Sequence, residues 1–541
     1  MRAAVLLLLA TAASAQQAVT IRVDASKVVA PWKPVWSYFG YDEPNYTTAP
    51  YGHKLIVELG ALGNVHVRTH NLLTTGDGAP ALKWGSTNAY TETPDGKPVY
   101  DWTILDRIFD VWINAGITPF VEIGFMPEAL STHPQPYKHD WPRTPIAAGW
   151  AYPPKDYDKW AELVRQWVRH EAMRYGFAEV EKWSWEVWNE PDIEYWQGTP
   201  EEYDKLYDTA ALAVKSVSPR MRVGGPATTG PAGHSGGPYL RQFLEHCART
   251  GVPLDFITYH AKGHPEFVDG HVRMGLANNL RDVAAGLDII AGFPQFQHLP
   301  VVLSESDPEG CGACTARTHP ENAYRNGSLY PAYTAAALAG ILQLADRAHA
   351  NIAGMLTWAF EFEDQPYFDG FRTLATNGID KPILNLFRME AKMSGARVSV
   401  SSDGALPLDD ILHNGVRGKP DIDAIATRSP RSVSVLVWNY RDDDVLAAPA
   451  SVNLTFAGLP GGVARVRVLH YRIDADQSNA YAAWQRMGSP RNPTPEQYAQ
   501  LESAGQLQLV ESPRWLPAAS GAVELIFALE RPAVSLVQLS W

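Results

Sequence analysis

The chain has 541 residues, 45% of them hydrophobic, too many for one small core, and two domains are expected, one of them large. Its 46 basic and 59 acidic residues leave a formal charge of −13. An acidic chain lacks the basic footprint that a phosphate backbone requires, which excludes nucleic acid as a partner.

Residues 1–15 read as a secretory signal: Arg2, an apolar run from Ala3 to Ala12, and an Ala13-Ser14-Ala15 cleavage site before Gln16. That run is too short to span a bilayer and no later stretch is apolar enough, so the mature protein is expected to be exported, periplasmic or secreted, with no membrane partner. Val19 to Val23 alternate as a half-buried strand, and residues 16–33 are expected to join a sheet far along the chain. From 34 to 395 short apolar runs alternate with amphipathic helical stretches. Eight runs read as strands: Val35–Gly40, Val65–His70, Thr118–Phe125, Trp183–Glu190, Met221–Gly225, Phe256–His260, Val301–Glu305 and Met355–Phe360. Each is followed by room for a return helix, and the class is therefore α/β, a (β/α)8 TIM barrel. Trp160, Leu163, Val164, Trp167 and Val168 share one helical face that Gly176 stops. Thr199-Pro200-Glu201-Glu202 forms a capping box for the next helix.

Beyond Gly395 the period becomes two, in Ser432–Tyr440, Ser451–Ala457, Val463–Ile473, Ala522–Ala528 and Ala533–Trp541. Residues 396–541 read as a C-terminal β-sandwich domain, joined by the N-terminal strand. Of three cysteines, Cys311 and Cys314 stand in C-x-x-C spacing without thioredoxin-like context, which leaves a structural bridge or two free thiols. Sixteen histidines include no H-E-x-x-H, and neither metal nor cofactor is expected.

The chemistry concentrates in Trp185-Glu186-Val187-Trp188-Asn189-Glu190-Pro191. It is a buried strand that stops at an Asn-Glu pair among tryptophans. Indole faces stack on pyranose rings, and a Glu in apolar surroundings holds its proton toward neutral pH. Glu305 ends the seventh strand as Glu190 ends the fourth, so both acids are expected on one rim of the barrel. Two carboxylates flanking a glycosidic bond are the minimum equipment for glycoside hydrolysis.

On these residues the chain resembles glycoside hydrolase family 39. The shared features are Trp188-Asn189-Glu190-Pro191, Arg68-Thr69-His70, the strand-three text Glu122 to Pro127, and Trp358 on strand eight. The resemblance implies a retaining mechanism, with Glu190 as acid/base and Glu305 as nucleophile. It implies that Asn189 bonds the sugar 2-hydroxyl, and that Trp358 floors the −1 subsite with a cis bond to Ala359. His70 and His260, at strand ends, would bond sugar hydroxyls or orient a carboxylate, and Tyr195 and Trp196 would wall the +1 side. Glu122 reads equally as structural or functional. The family's bacterial β-xylosidases suggest a β-D-xylosidase acting on xylo-oligosaccharides. The chain departs from them after His260, where Ala261-Lys262 stands in place of a tyrosine two positions on. Lys262 and Arg372 resemble the positions that hold a uronate in the family's α-L-iduronidase, whereas Glu361, Glu363 and Asp364 would pair with Lys262 or bind pentose hydroxyls. Uronide or other pentoside cleavage is therefore the alternative, and a non-catalytic carbohydrate-binding barrel is the reading from another class.

Overall fold

The computed structural model describes residues 18–541 apart from 81–84, 140–145, 148, 309–310, 312–313, 446 and 519. The signal segment expected at 1–15 lies outside the described residues. Eight parallel strands close into a barrel: β1 Tyr38–Tyr41, β2 His66–Thr69, β3 Thr118–Ile123, β4 Ser184–Val187, β5 Arg222–Thr228, β6 Phe256–His260, β7 Val301–Glu305 and β8 Ile352–Trp358. They follow one another in chain order around the ring, and β8 pairs back onto β1. All eight coincide with the apolar runs of the sequence, because strands buried on both faces leave an unbroken apolar signature.

Helix ends are set locally. Tyr157–Tyr175 buries the Trp160 to Val168 face, and Gly176, at φ 92°, ends it where a side chain would be strained. Pro200–Val217 begins with the reciprocal Thr199–Glu202 capping box. Inside the barrel, Phe120, Phe256 and Val302 pack with Tyr38 as an apolar floor. One layer closer to the strand C-termini the side chains turn ionic, with Arg68, Glu122 and Glu186 all fully buried.

The second domain is one continuous, mostly antiparallel sheet. The N-terminal strand Val19–Pro31 lies within it, antiparallel to Ala396–Ser402 and parallel to Ala450–Ala457. Strands Val523–Leu529 and Ala533–Ser540 stand six steps apart in that sheet, yet three residues connect them. Six strand spacings amount to roughly 29 Å, and three residues with their end bonds reach only about 14 Å. The sheet therefore curls over on itself into a sandwich, around Ile21, Val23, Val435, Leu454, Val468, Leu525 and Val537. Strand Asp421–Ser429 has no clear alternation in the sequence because it is buried on both faces, with helix Leu329–Ala348 against it. Cys311 and Cys314 are bridged, with Cα atoms 5.5 Å apart, and Cys247 is a buried free thiol. The Trp358–Ala359 bond is trans, contrary to the expectation from resemblance, and among the described residues the non-proline cis bond is Gly124–Phe125.

Candidate active site

The strands deliver their C-terminal residues to one rim. Glu305 is the last residue of β7, His260 the last of β6, and Glu190 follows the end of β4. The chain leaves β4 through two non-glycine residues in the left-handed region, Trp188 at φ 72° and Glu190 at φ 43°. Each such residue costs on the order of 1–3 kcal/mol and persists only where its surroundings hold it. Here the hold is visible: the Glu190 amide donates to Ala227 O at 2.9 Å, and the Trp188 indole donates to Tyr195 O at 2.9 Å. The bend brings the two acids together. Glu190, His260 and Glu305 present ligand atoms that all lie within 4.8 Å of one another.

Glu305 is surrounded by positive charge. Lys262 Nζ lies 2.8 Å from its Oε2, His70 Nε2 lies 3.3 Å and Arg68 NH1 3.5 Å from its Oε1, and His260 Nδ1 is 3.9 Å away. Burial pushes the Glu305 carboxyl up, but Lys262, His260 and His70 outweigh it and hold the group well below its ordinary range. It is held as a carboxylate. Glu190 sits differently: its side chain is 16% exposed, and its Oε1 faces His260 Nδ1 at 2.8 Å.

The base of the site is a buried ionic lattice. Arg68 binds Glu186 through Nε, Glu122 through NH2 at 3.0 Å and Asn189 Oδ1 through NH2 at 3.0 Å. His70 Nδ1 meets Glu122 Oε2, and its Nε2 also lies 3.4 Å from Asp42. Burial would lower the His70 pKa, yet Glu122, Glu305 and Asp42 raise it to about 9, so the ring is an imidazolium at neutral pH. Trp358 lies over this lattice, with Arg68 5.1 Å from its ring centre and His70 4.3 Å ring to ring.

A cavity of about 510 Å³ opens over these groups. His70, Glu190, Lys262, Glu305, Trp358 and Arg372 line it together. Asn189 is buried beneath, its Oδ1 held by Arg68 and its Nδ2 without an acceptor among the described residues. His260 is fully buried behind Glu190 and faces a neighbouring cavity of about 500 Å³, whose wall Glu190 and Lys262 share. Glu363 is elsewhere. Its carboxylate accepts from the Tyr51 amide in the first turn of helix Pro50–Gly60, where the helix dipole and free N–H groups hold an anion. The expected pairing of Lys262 with Glu361, Glu363 or Asp364 does not form either, because Glu305 and Asp307 take its ammonium. Of the two aromatics after Glu190, Tyr195 lines the cavity, stacked on Phe125 at 5.5 Å, whereas Trp196 packs edge-on against Trp188 beneath the loop.

Sequence reading gave no individual role to Asp42, Glu186 or Asp307, although Asp307 belongs to the Glu305-x-Asp307-Pro308 run that resembles the family's α-L-iduronidase. Asp42 and Asp307 each lie 3.5 Å from the Arg372 guanidinium. The i+2 spacing of Asp307 from Glu305 places the two side chains on the same face of an extended segment. Outer walls come from the long loops: Tyr137 from the loop after β3, and the Cys311–Cys314 bridge with His319, Glu321 and Asn322 from the loop after β7.

The profile of glycosyl hydrolases family 39 matches residues 19–523. A β-xylosidase of Geobacillus stearothermophilus is 28% identical over 90% of this chain and 88% of its own length. The α-L-iduronidase of Mus musculus is 26% identical over 98% of this chain and 82% of its own length. Among solved structures, the family 39 enzyme of Xanthomonas axonopodis pv. citri superposes with a TM-score of 0.78 at 24% identity, covering 98% of this chain and 99% of that one, and shares the fold. With a barrel rim that carries two facing acids, and a family profile that spans nearly all of its length, the chain belongs to glycosyl hydrolase family 39 and is a glycoside hydrolase.

Proposed function

We propose that this glycosidase is a retaining exo-enzyme, a β-D-xylosidase that releases xylose from the non-reducing ends of xylo-oligosaccharides. One observation carries the retaining mechanism: carboxylate oxygens of Glu190 and Glu305 lie within 4.8 Å. Direct attack needs carboxyl groups about 5–5.5 Å apart, and an intervening water needs about 6.5 Å or more. Glu305, held as an anion, attacks the anomeric carbon. Glu190 protonates the leaving oxygen and then deprotonates water. Asn189 Nδ2 is free to meet the 2-hydroxyl, and Trp358 supports the ring. The bounded cavity, walled by the loops after β3 and β7, supports release from chain ends.

A second reading has its own observation. Lys262 and Arg372 both line the cavity, and a sugar carboxylate would meet them. A β-D-xyloside and an α-L-iduronide have the same configuration from C1 to C4 and differ at C5, so the same acids serve either. Against a non-catalytic role, both acids are present at reacting distance. A panel of nitrophenyl glycosides with β-xyloside, α-arabinoside and α-iduronide separates these readings. Glu305→Ala should abolish turnover, and azide should restore part of it as the product of opposite anomeric configuration. An unchanged rate in that variant would remove the nucleophile assignment. Export through cleavage after Ala15 completes the proposal, and amino-terminal sequencing of protein recovered outside the cytoplasm tests it.

A further inference from the structure

We propose that Asp307 is a standing counter-ion, keeping Lys262 charged and in place while Glu305 passes from carboxylate to ester. This rests on the double-displacement reading above. In the first step a Glu305 oxygen bonds to the anomeric carbon. The bond to the leaving oxygen breaks, its electron pair goes with the aglycone, and that oxygen takes the Glu190 proton. The negative charge thereby leaves Glu305 and appears on Glu190.

The two acids stand in unlike surroundings for this exchange. Glu190 gains its charge facing His260 Nδ1 at 2.8 Å. Lys262 Nζ, 2.8 Å from Glu305, loses the anion it was paired with. Lys262 is 8% exposed, and water cannot take over the whole of that pairing. Asp307 supplies the replacement. Its Oδ1 lies 2.5 Å from Lys262 Nζ, and its Oδ2 lies 3.5 Å from Arg372 NH1. Its side chain is fully buried, so that pairing is not diluted by solvent. Asp307 touches neither reacting atom and acts through Lys262, as a positioning residue.

The test separates formation of the glycosyl-enzyme from its hydrolysis. With a dinitrophenyl glycoside of the sugar that the panel selects, kcat/KM reports formation and kcat reports hydrolysis. Asp307→Asn strands a buried ammonium only once Glu305 is esterified. Removing one partner of a buried pair carries a penalty equivalent to about a hundredfold or more in rate. The expected result is kcat/KM lower by about that factor, kcat changed far less, and a raised KM, because the intermediate no longer accumulates. Lys262→Met combined with Asp307→Asn leaves no ammonium to strand, while Arg372 keeps Asp42 at 3.5 Å, and should recover part of the lost kcat/KM. If Asp307→Asn does not fold, Asp307→Glu, which keeps the charge, should show kcat/KM close to wild type while the double variant reads the split. Equal losses in kcat and kcat/KM, no loss in either, or a double variant worse than both single ones would overturn the inference. Trapping the wild type with a 2-fluoro glycosyl fluoride separates the two failures. With no adduct on Glu305 the double-displacement reading falls, and this inference with it. With an adduct present but the Asp307→Asn rates unsplit, this inference alone falls.

Discussion

Gly40, the third residue of β1, makes room for the floor of the site. A Cβ placed there would press into Cε3 and Cζ3 of Trp358, and would lie 2.9 Å from Leu356 Cδ2. Gly40 does not have positive φ, so alanine is allowed by the backbone and the whole effect is steric. To regain an ordinary contact of about 3.5–4.0 Å, the indole must retreat by roughly 1–1.5 Å. It cannot retreat freely: Trp358 is 1% exposed, with His70 and the Arg68 guanidinium against its ring. Overpacking of this kind costs about 1–3 kcal/mol of stability. A displacement of about 1 Å in a positioning group costs on the order of a hundredfold in rate. Gly40→Ala is therefore expected to lower kcat/KM on the preferred aryl glycoside by about two orders of magnitude, with a smaller loss on thermal melting. Wild-type kcat/KM in a folded Gly40→Ala protein would refute the claim that close approach of β1 sets the height of the indole.

Other consequences can be read from the ionic interior. Arg68→Met leaves Glu122 and Glu186 buried without their shared cation, so thermal or denaturant unfolding should show a loss of about 3–5 kcal/mol along with activity. Arg68→Lys should recover only part of it, since one ammonium cannot reproduce the planar fork. Glu171 is raised by burial, and by Asp106 and Asp110, from 4.5 to about 8, while its Oε1 accepts from Trp167 Nε1 at 2.9 Å. The native state then holds a proton that the unfolded chain releases above its ordinary value, so this residue removes stability as pH rises from about 4.5 to 8. Glu171→Gln should match wild type near pH 4 and be more stable by up to about 5 kcal/mol above pH 8, as denaturant titrations at the two pH values would show. His70 acts in the same direction in a higher window: its stabilising contribution is complete below about 6.5 and disappears as pH rises through about 9, so His70→Gln should flatten the alkaline fall of melting temperature. EDTA should leave turnover unchanged, since Lys262 and Arg68 already supply positive charge at Glu305.

The sequence by itself determined the barrel. Strands buried on both faces must be written as apolar runs, and helix stops such as Gly176 and the Thr199 capping box act over a few residues, so both are legible one segment at a time. It also determined that Glu190 and Glu305 share a rim, because strand direction in a parallel barrel fixes which end a terminal residue occupies. Only the tertiary structure decided which ions pair. Lys262 binds Glu305 and Asp307 rather than the acidic cluster after Trp358, and Glu363 turns to a helix terminus. Those choices depend on distances of a few ångströms between strands far apart in the chain. At that range Coulomb energies in a buried site are large, and no local pattern of residues encodes them.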